Sequence, residues 1–372
     1  MKKVLIVITT DFVSYGGLTT VMMNYYRAMD KGKLRIDFAS TNSPSPELLG
    51  ELAENGSRYF DLGSRKKQPL SYRKALKDLL RREGYDVIHV NGNSATMALE
   101  LDLARRLGVP LRIAHTHTTR SSYPLVNRLL QPRLKRACTT AIAVSHKAGD
   151  WLFGGNYLVL NNAIDPDRYG YDPDLRDRFR EDHSLTGRFV LGNVGKLNPA
   201  KNHGFLLEVF AAYRALDPTA ALVIAGGGQQ ESALRSRARE LGLGSDVTFL
   251  GMSREVRTVL QGFDLFVFPS IFEGLGLALI EAQASGLPCL ASDPVPRETA
   301  VTDQVAYLSL AESPEVWARK ILELKEKMPI DARAIRCRQA AVSIRDRGYD
   351  ISVEAEKLQR IYLNGRPEGG AQ

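Results

Sequence analysis

The chain has 372 residues, 44% of them hydrophobic, and a formal charge of +8 that is unevenly placed: residues 1–165 hold 24 Lys+Arg against 14 Asp+Glu, the remainder 26 against 28. That length exceeds what one compact core usually serves, so two domains are expected. The basic N-terminal half points to an anionic partner, a nucleic acid or an acidic membrane face, or to solubility alone. Cys138, Cys289 and Cys337 are far apart and odd in number, which argues against a disulfide framework or a clustered metal site and suits a reducing cytoplasm.

In chain order, the start MKKVLIVITTD reads as a first buried strand. Its apolar stretch Val4 to Ile8 is too brief for a signal peptide and meets Asp11 without a cleavage site. Further short apolar runs follow at Ile36 to Ala39, Val87 to Val90, Leu111 to Ala114 and Ala141 to Val144. Continuous apolarity is what a parallel strand buried on both faces requires. Between them, Thr19 to Met29 and Tyr72 to Glu83 carry helical periodicity, so the first half reads as a doubly wound α/β sheet. After a polar bridge from Asp165 to Gly187 the pattern restarts, with runs at Phe189 to Val194, Ala221 to Ala225, Val247 to Leu250, Leu265 to Phe268 and Cys289 to Ala291. Two Rossmann-like domains are expected, 1–167 and 168–349, with 350–372 as a C-terminal segment whose Gly-rich end, Gly365 to Gln372, is expected to be disordered. No apolar run approaches the roughly 20 residues of a membrane span, so any membrane contact must be peripheral.

Two open parallel sheets facing each other across a cleft would bind ligands at the carboxyl ends of their strands, and the residues of interest fall there. Gly16 and Gly17 follow the first strand, His115 and His117 the Leu111 run, Lys196 and Lys201 the Phe189 run, and Glu273 the Leu265 run. In FEGLGLALIE, Gly274 and Gly276 allow close backbone approach, and a helix from Leu277 to Ser285 presents free N–H groups to phosphate oxygens around Gly274, Leu275, Gly276 and Leu277. An ionised carboxylate only accepts hydrogen bonds, so Glu281 suits a ribose diol and Glu273 the hydroxyls of a transferred sugar. Two solvated helix glutamates are the competing reading. Lys196 and Lys201 offer charge to a diphosphate leaving group, or form a plain surface loop. GKLNPAKN is not a P-loop frame, and no G-x-G-x-x-G follows the first strand, which counts against NAD. Gly226, Gly227 and Gly228 are a further strand-to-turn signal near a nucleotide, weak alone. His115 and His117 lack a third metal ligand of plausible spacing; His117 is the candidate for binding a sugar hydroxyl. Helix Tyr72 to Glu83, with Arg73, Lys74 and Lys77 and preceded by Arg65, Lys66 and Lys67, either rests on anionic lipid headgroups or is an ordinary solvated face.

These residues resemble the retaining glycosyltransferases of the GT-B fold, family 4, particularly bacterial exopolysaccharide and capsule enzymes. The similarity spans nearly the whole chain through YGGLTTV (Tyr15 to Val21), AHTHTT (Ala114 to Thr119), AVSHKA (Ala141 to Ala148), NNAID (Asn161 to Asp165), VGKLNPAKN (Val194 to Asn202) and FPSIFEGLGLALIEAQASGLP (Phe268 to Pro288). The resemblance implies that Glu281 binds ribose, Glu273 the donor sugar and Lys201 the diphosphate, with His117 in the sugar pocket and Gly17 near the phosphates. The family more often has arginine where this chain has Lys196, which keeps the charge and loses bidentate geometry. It further implies a nucleotide-sugar donor, expected to be a UDP-sugar; a glycan or lipid-linked acceptor; no bound metal; retention of anomeric configuration; and a C-terminal helix, Ile351 to Leu363, crossing back to the first domain. A cytoplasmic protein, peripheral at the inner face of the plasma membrane, is the expected setting. A sugar-nucleotide epimerase on the same architecture is the alternative; a nucleic-acid-binding protein is the third reading, and the basic half lacks the aromatic interleaving of single-strand platforms.

Overall fold

The computed structural model describes residues 1–13, 16–119, 121, 123–253 and 255–365. The chain forms two compact units, one built from Met1–Ala163 together with the C-terminal residues from Ile351, the other from Ile164–Asp350. The first unit runs β1 (Lys2–Ile8), α1 (Gly17–Ala28), β2 (Leu34–Ser40), α2 (Pro46–Glu54), β3 (Tyr59–Asp61), α3 (Pro69–Glu83), β4 (Val87–Gly92), α4 (Ala98–Arg106), β5 (Leu111–Thr116), α5 (Pro124–Ala137), β6 (Thr140–Ala143), α6 (His146–Leu152) and β7 (Leu158–Val159). Its sheet has the order β3-β2-β1-β4-β5-β6-β7, with every pairing parallel.

Continuous apolarity has the cause expected of it. Val4 to Ile8 are fully buried between β2 and β4, with Ile6 opposite Phe38 on one side and His89 on the other. Helix α3 buries Tyr72, Leu76, Leu79 and Leu80 in the apolar cluster shared with α4, α5 and α6. It starts at Pro69, three residues before the periodicity shows, because proline is preorganised for a first helical turn. Helix α1 likewise starts at Gly17 rather than Thr19.

The second unit runs α7 (Pro173–Asp182), β8 (Val190–Val194), α8 (His203–Leu216), β9 (Ala221–Ala225), α9 (Glu231–Glu240), β10 (Val247–Gly251), α10 (Val256–Gly262), β11 (Leu265–Phe268), α11 (Leu277–Ala284), β12 (Cys289–Ser292), β13 (Val305–Leu308), α12 (Pro314–Lys327) and α13 (Arg333–Asp346). Its parallel sheet has the order β10-β9-β8-β11-β12-β13. Strand order reverses between β8 and β11, as it does between β1 and β4 in the other sheet, so each unit has a topological switch point at the carboxyl end of its strands.

Arg333, at the first position of α13, is fully buried. Its guanidinium donates to the carbonyls of Ser285 (2.8 Å), Leu260 (2.8 Å), Gln261 (3.1 Å) and Phe263 (2.8 Å). It thereby adds donors to carbonyls at the carboxyl ends of α10 and α11, where helical partners run out. Burial pulls its pKa down to about 9. The chain then returns to the first unit through α14 (Ile351–Asn364), which packs on α1. Glu354 accepts from the Asn161 amide at 2.9 Å and Gln359 from the Asp30 amide at 2.8 Å. The tail from residue 366, like Tyr15 of the YGGLTTV motif, lies outside the described residues.

Candidate functional site

The switch point of the second unit gathers most of the residues picked out above. After β8 the chain passes through Gly195 and the exposed Lys196. It then turns over Pro199–Lys201, where the Asn198 side chain accepts from the Lys201 amide at 3.3 Å. Asn202 takes a left-handed conformation (φ 57°) to enter α8. The turn is anchored from below: buried His203 shares a 3.0 Å hydrogen bond with Asn193, whose amide donates to the Val267 carbonyl at 2.7 Å. The glycine triplet after β9 serves this loop by shape. Gly226 has φ 148°, and a Cβ there would lie 1.9 Å from the Gly195 carbonyl oxygen; one on Gly228 would lie 2.3 Å from that of Leu197. Only backbone without side chains allows the two loops to stack so closely.

The loop after β11 meets the lysine turn directly. The Ile271 amide donates to the Ala200 carbonyl at 2.8 Å, and Lys201 Nζ lies 2.6 Å from Glu273 Oε1, with both side chains largely buried. Lys201 Nζ also stands 4.8 Å from the centroid of the Phe268 ring. Gly276 caps α11 with φ 91°, and a Cβ there would come within 3.2 Å of the Phe268 ring and 3.7 Å of Glu273 Cγ. It has no side chain to occupy the first-turn N–H groups, and that turn holds no acidic residue, so the helix start remains an anion-binding end. Leu275 is buried and Leu277 packs against the same apolar cluster. Their side chains therefore belong to the core, which leaves only their backbone available to a ligand; Gly274 is exposed.

Glu281 stands five residues into α11 from Gly276, about 7 Å along the axis at 1.5 Å per residue. It is buried, which corrects the picture of a solvated helix glutamate. Burial raises its pKa, opposed by the Tyr169 hydroxyl, which donates to Oε1 at 2.8 Å, and by the Arg168 charge. Tyr169 escaped the sequence reading because it lies in the polar bridge, 112 positions from its partner. A groove of about 610 Å³ along α7 and α10, lined by residues such as Phe179, Met252 and Val259, contains none of these side chains.

Gly16, Gly17 and His117 belong to the first unit, after β1 and β5 of its sheet. Gly16 is the N-cap of α1, and a Cβ on Gly17 would meet nothing within 4 Å. His117 Nε2 is 3.0 Å from Asn91 Oδ1, an oxygen that only accepts, so Nε2 carries the proton and the unpartnered, buried Nδ1 presents a lone pair. Burial pulls its pKa down to about 3. Behind it lies a chain of buried rings: His115 is 4.2 Å from His117 between centroids, His89 Nε2 is 3.2 Å from His115 Nδ1, and His89 Nδ1 is 2.6 Å from the Tyr362 hydroxyl on α14. Among the described residues no group of three or more His, Cys, Asp or Glu is placed to hold a metal ion. No described helix is long and apolar enough to cross a membrane. One member of the basic cluster is removed from it: Arg65 is paired with buried Glu100 at 2.7 Å.

The family described as "Glycosyltransferase Family 4" matches residues 15–168, and that described as "Glycosyl transferases group 1" matches residues 176–341. A putative glycosyltransferase of Bacillus subtilis, EpsF, is 33% identical over 97% of this chain and 96% of its own. An Escherichia coli UDP-Gal:alpha-D-GlcNAc-diphosphoundecaprenol alpha-1,3-galactosyltransferase is 25% identical over 78% of each. The structure of Anabaena HepE in complex with UDP superposes with a TM-score of 0.77 over 98% of this chain and 100% of that one, at 17% identity.

Proposed function

The chain belongs to the family 4 glycosyltransferases, of GT-B fold, and we propose that it moves a sugar from a UDP-sugar to a hydroxyl of a glycan or lipid-linked glycan, with retention of configuration and without a bound metal. The observation that carries this reading is the Lys201–Glu273 pair beside the start of α11, which no side chain caps, with Glu281 about 7 Å further along the helix. A diphosphate seated on the helix start draws Lys201 away from Glu273. The lysine then meets the charge that grows on the leaving phosphate, and Glu273 is released to accept from sugar hydroxyls. Glu281 accepts from the ribose diol, and Lys196 adds charge from the exposed loop. In the first unit, the bare Nδ1 of His117 accepts from a hydroxyl of the transferred sugar. Glu273, once released, accepts from sugar hydroxyls instead of attacking carbon, and front-face attack is the retaining mechanism proposed.

Names of relatives support the substrate classes: HepE was crystallised with UDP and with UDP-glucose, and the E. coli relative acts on a diphosphoundecaprenol-linked sugar. A polyprenyl-linked acceptor would place the protein at the inner face of the plasma membrane, the cationic face of α3 in peripheral contact with it. The epimerase alternative is not favoured, since the relatives named above are glycosyltransferases. A screen of nucleotide sugars, reading UDP release with and without oligosaccharide and lipid-linked acceptors, tests the proposal. Acceptor-dependent UDP release with an α-linked product from an α-linked donor is the expected result; epimer formation without UDP release defeats it.

A further inference from the structure

We propose, resting on the reading of His117 as a sugar contact, that Asn91 is the positioning residue that sets what this pocket selects. It holds His117 as a pure hydrogen-bond acceptor, so the transferred sugar must present an O–H there. Donor and acceptor assignments along one line of atoms lead to this. The His89 carbonyl can only accept, and Asn91 Nδ2 donates to it at 3.4 Å. That contact fixes which end of the Asn91 amide is nitrogen and leaves Oδ1 toward His117, 3.0 Å from Nε2. An amide oxygen cannot donate, so Nε2 holds the one proton of the neutral ring and Nδ1 keeps a bare lone pair. Turning the amide over would set Oδ1 against the His89 carbonyl, two acceptors facing each other at a fully buried residue.

The backbone holds this line in place. Asn91 lies at the carboxyl end of β4, and its carbonyl accepts from the Thr9 amide at 3.0 Å and the Thr9 hydroxyl at 2.9 Å. A Cβ on the next residue, Gly92, would lie 2.6 Å from Thr9 Oγ1 and 2.9 Å from Met97 Cγ, so the turn there closes only around glycine. The Gly92 carbonyl in turn accepts from the His117 amide at 3.3 Å. The His117 ring lies against that of His115 at an interplanar angle of 34°. Burial pulls the pKa values of His89 and His115 down, so neither ring brings a charge to His117. Its Nδ1 is buried with no partner among the described residues. A buried acceptor costs free energy until a donor reaches it, and a sugar hydroxyl is such a donor. Fluorine, an ether oxygen or a carboxylate only accepts, and would face the lone pair with its own. The pocket therefore admits a sugar with a free hydroxyl at this position and turns away one that carries a carboxylate or an ether there.

The test joins imidazole nitrogen NMR of the full chain with calorimetric titration. In the unliganded parent, His117 is expected to carry a proton on Nε2 and none on Nδ1. A proton on Nδ1 overturns the proposal, and this spectrum decides even where a variant does not fold. Asn91→Asp keeps an acceptor beside Nε2 and adds a negative charge, which is expected to raise the His117 midpoint from about 3 by about one to three pH units. An unmoved midpoint shows that Asn91 does not act on His117 and overturns the proposal. The binding arm uses UDP, UDP-glucose, UDP-galactose and the deoxyfluoro analogues of both sugars, one for each hydroxyl. At one position, fluorine is expected to weaken binding to the parent about tenfold or more. Asn91→Leu frees the ring to carry its proton on either nitrogen, so at that position alone the penalty should shrink to about threefold or less, with the Kd for UDP unchanged. Penalties that do not respond to Asn91→Leu, or sugars and UDP weakened alike as by a general loosening of the fold, overturn the proposal. Failure of the parent to bind UDP defeats the donor reading instead, and leaves the proton position on His117 as found.

Discussion

Glu281→Gln separates what the fold needs from what the ligand needs. The carboxyl is buried, with the Tyr169 hydroxyl at 2.8 Å as its hydrogen-bond donor, and burial raises its pKa above the ordinary 4.5. A raised folded value means that the native state holds the proton more tightly than the unfolded chain. The stability it confers is present in full below pH 4.5 and is lost as pH rises through the folded value. Glutamine resembles the protonated form: its oxygen still accepts from Tyr169 and its amide faces the site. An under-satisfied buried polar group costs about 1–3 kcal/mol. For a unit the size of Ile164–Asp350 that is a rise of roughly 2–12 °C in the unfolding midpoint of the glutamine variant near pH 8. The gain should shrink as the pH is lowered toward 4.5, where the parent carboxyl is itself protonated. Affinity moves the other way: a ribose diol loses a charged acceptor worth about 1.5–3 kcal/mol, or roughly ten- to a hundredfold in the Kd for UDP. Thermal melts across pH and calorimetric titration with UDP read the two effects. A glutamine variant less stable than the parent at pH 8, or a difference unchanged by pH, refutes the reasoning.

Lys201→Met strands Glu273 without its 2.6 Å partner and is expected to lower stability by about 1–3 kcal/mol and the rate of transfer by about a hundredfold or more. Adding Glu273→Gln should restore the melting temperature and leave transfer lost; a double variant as unstable as the single one contradicts the pairing. Gly226→Ala must displace the Gly195 carbonyl, 1.9 Å from the new Cβ, at a cost of about 1–3 kcal/mol from overpacking, and should weaken UDP binding by moving the lysine loop. Full UDP affinity in that variant would show that the loop is not part of the site. His89 and His117, both pulled down to about 3 by burial, should stay neutral in imidazole NMR titrations from pH 8 to 5. Because only the unfolded chain takes up their protons below pH 6.5, each removes up to about 1.4 kcal/mol of stability per pH unit on acidification. A titration midpoint near 6.5 for either ring counts against the buried chain.

Long strands buried on both faces were legible from apolar runs alone, and with them the doubly wound sheets. β3, β7 and β13 were not: β3 and β7 have three and two residues, and none of the three is fully buried. Tyr157 to Leu160 and Val305 to Leu308 are apolar runs as short as Ala141 to Val144, but as half-buried sheet edges these strands lack the long, fully buried stretch that makes a central strand plain. At the site, Lys201, Glu273 and Gly276 were legible as loop residues because strand ends deliver them together. Their ion pair was not, since it spans 72 positions. Tyr169, His89 and Tyr362 were missed for the same reason: each acquires its role only from a partner distant in sequence. Arg65 shows the converse, a cation counted as surface charge that a buried glutamate takes out of solvent.

Arg333 bears on the electrical character of α11. A helix of eight residues carries opposite partial charges at ends only about 12 Å apart, so at the N-terminal pole the field of one end is partly cancelled by the other. With a buried cation donating to the Ser285 carbonyl, the negative pole is neutralised at its source, inside protein, where water does not screen it. What remains at Gly276 is closer to a lone positive pole than to one end of a dipole. A short helix can thereby hold a doubly charged phosphate group as a longer one would, with the compensating charge set in the core on the far side.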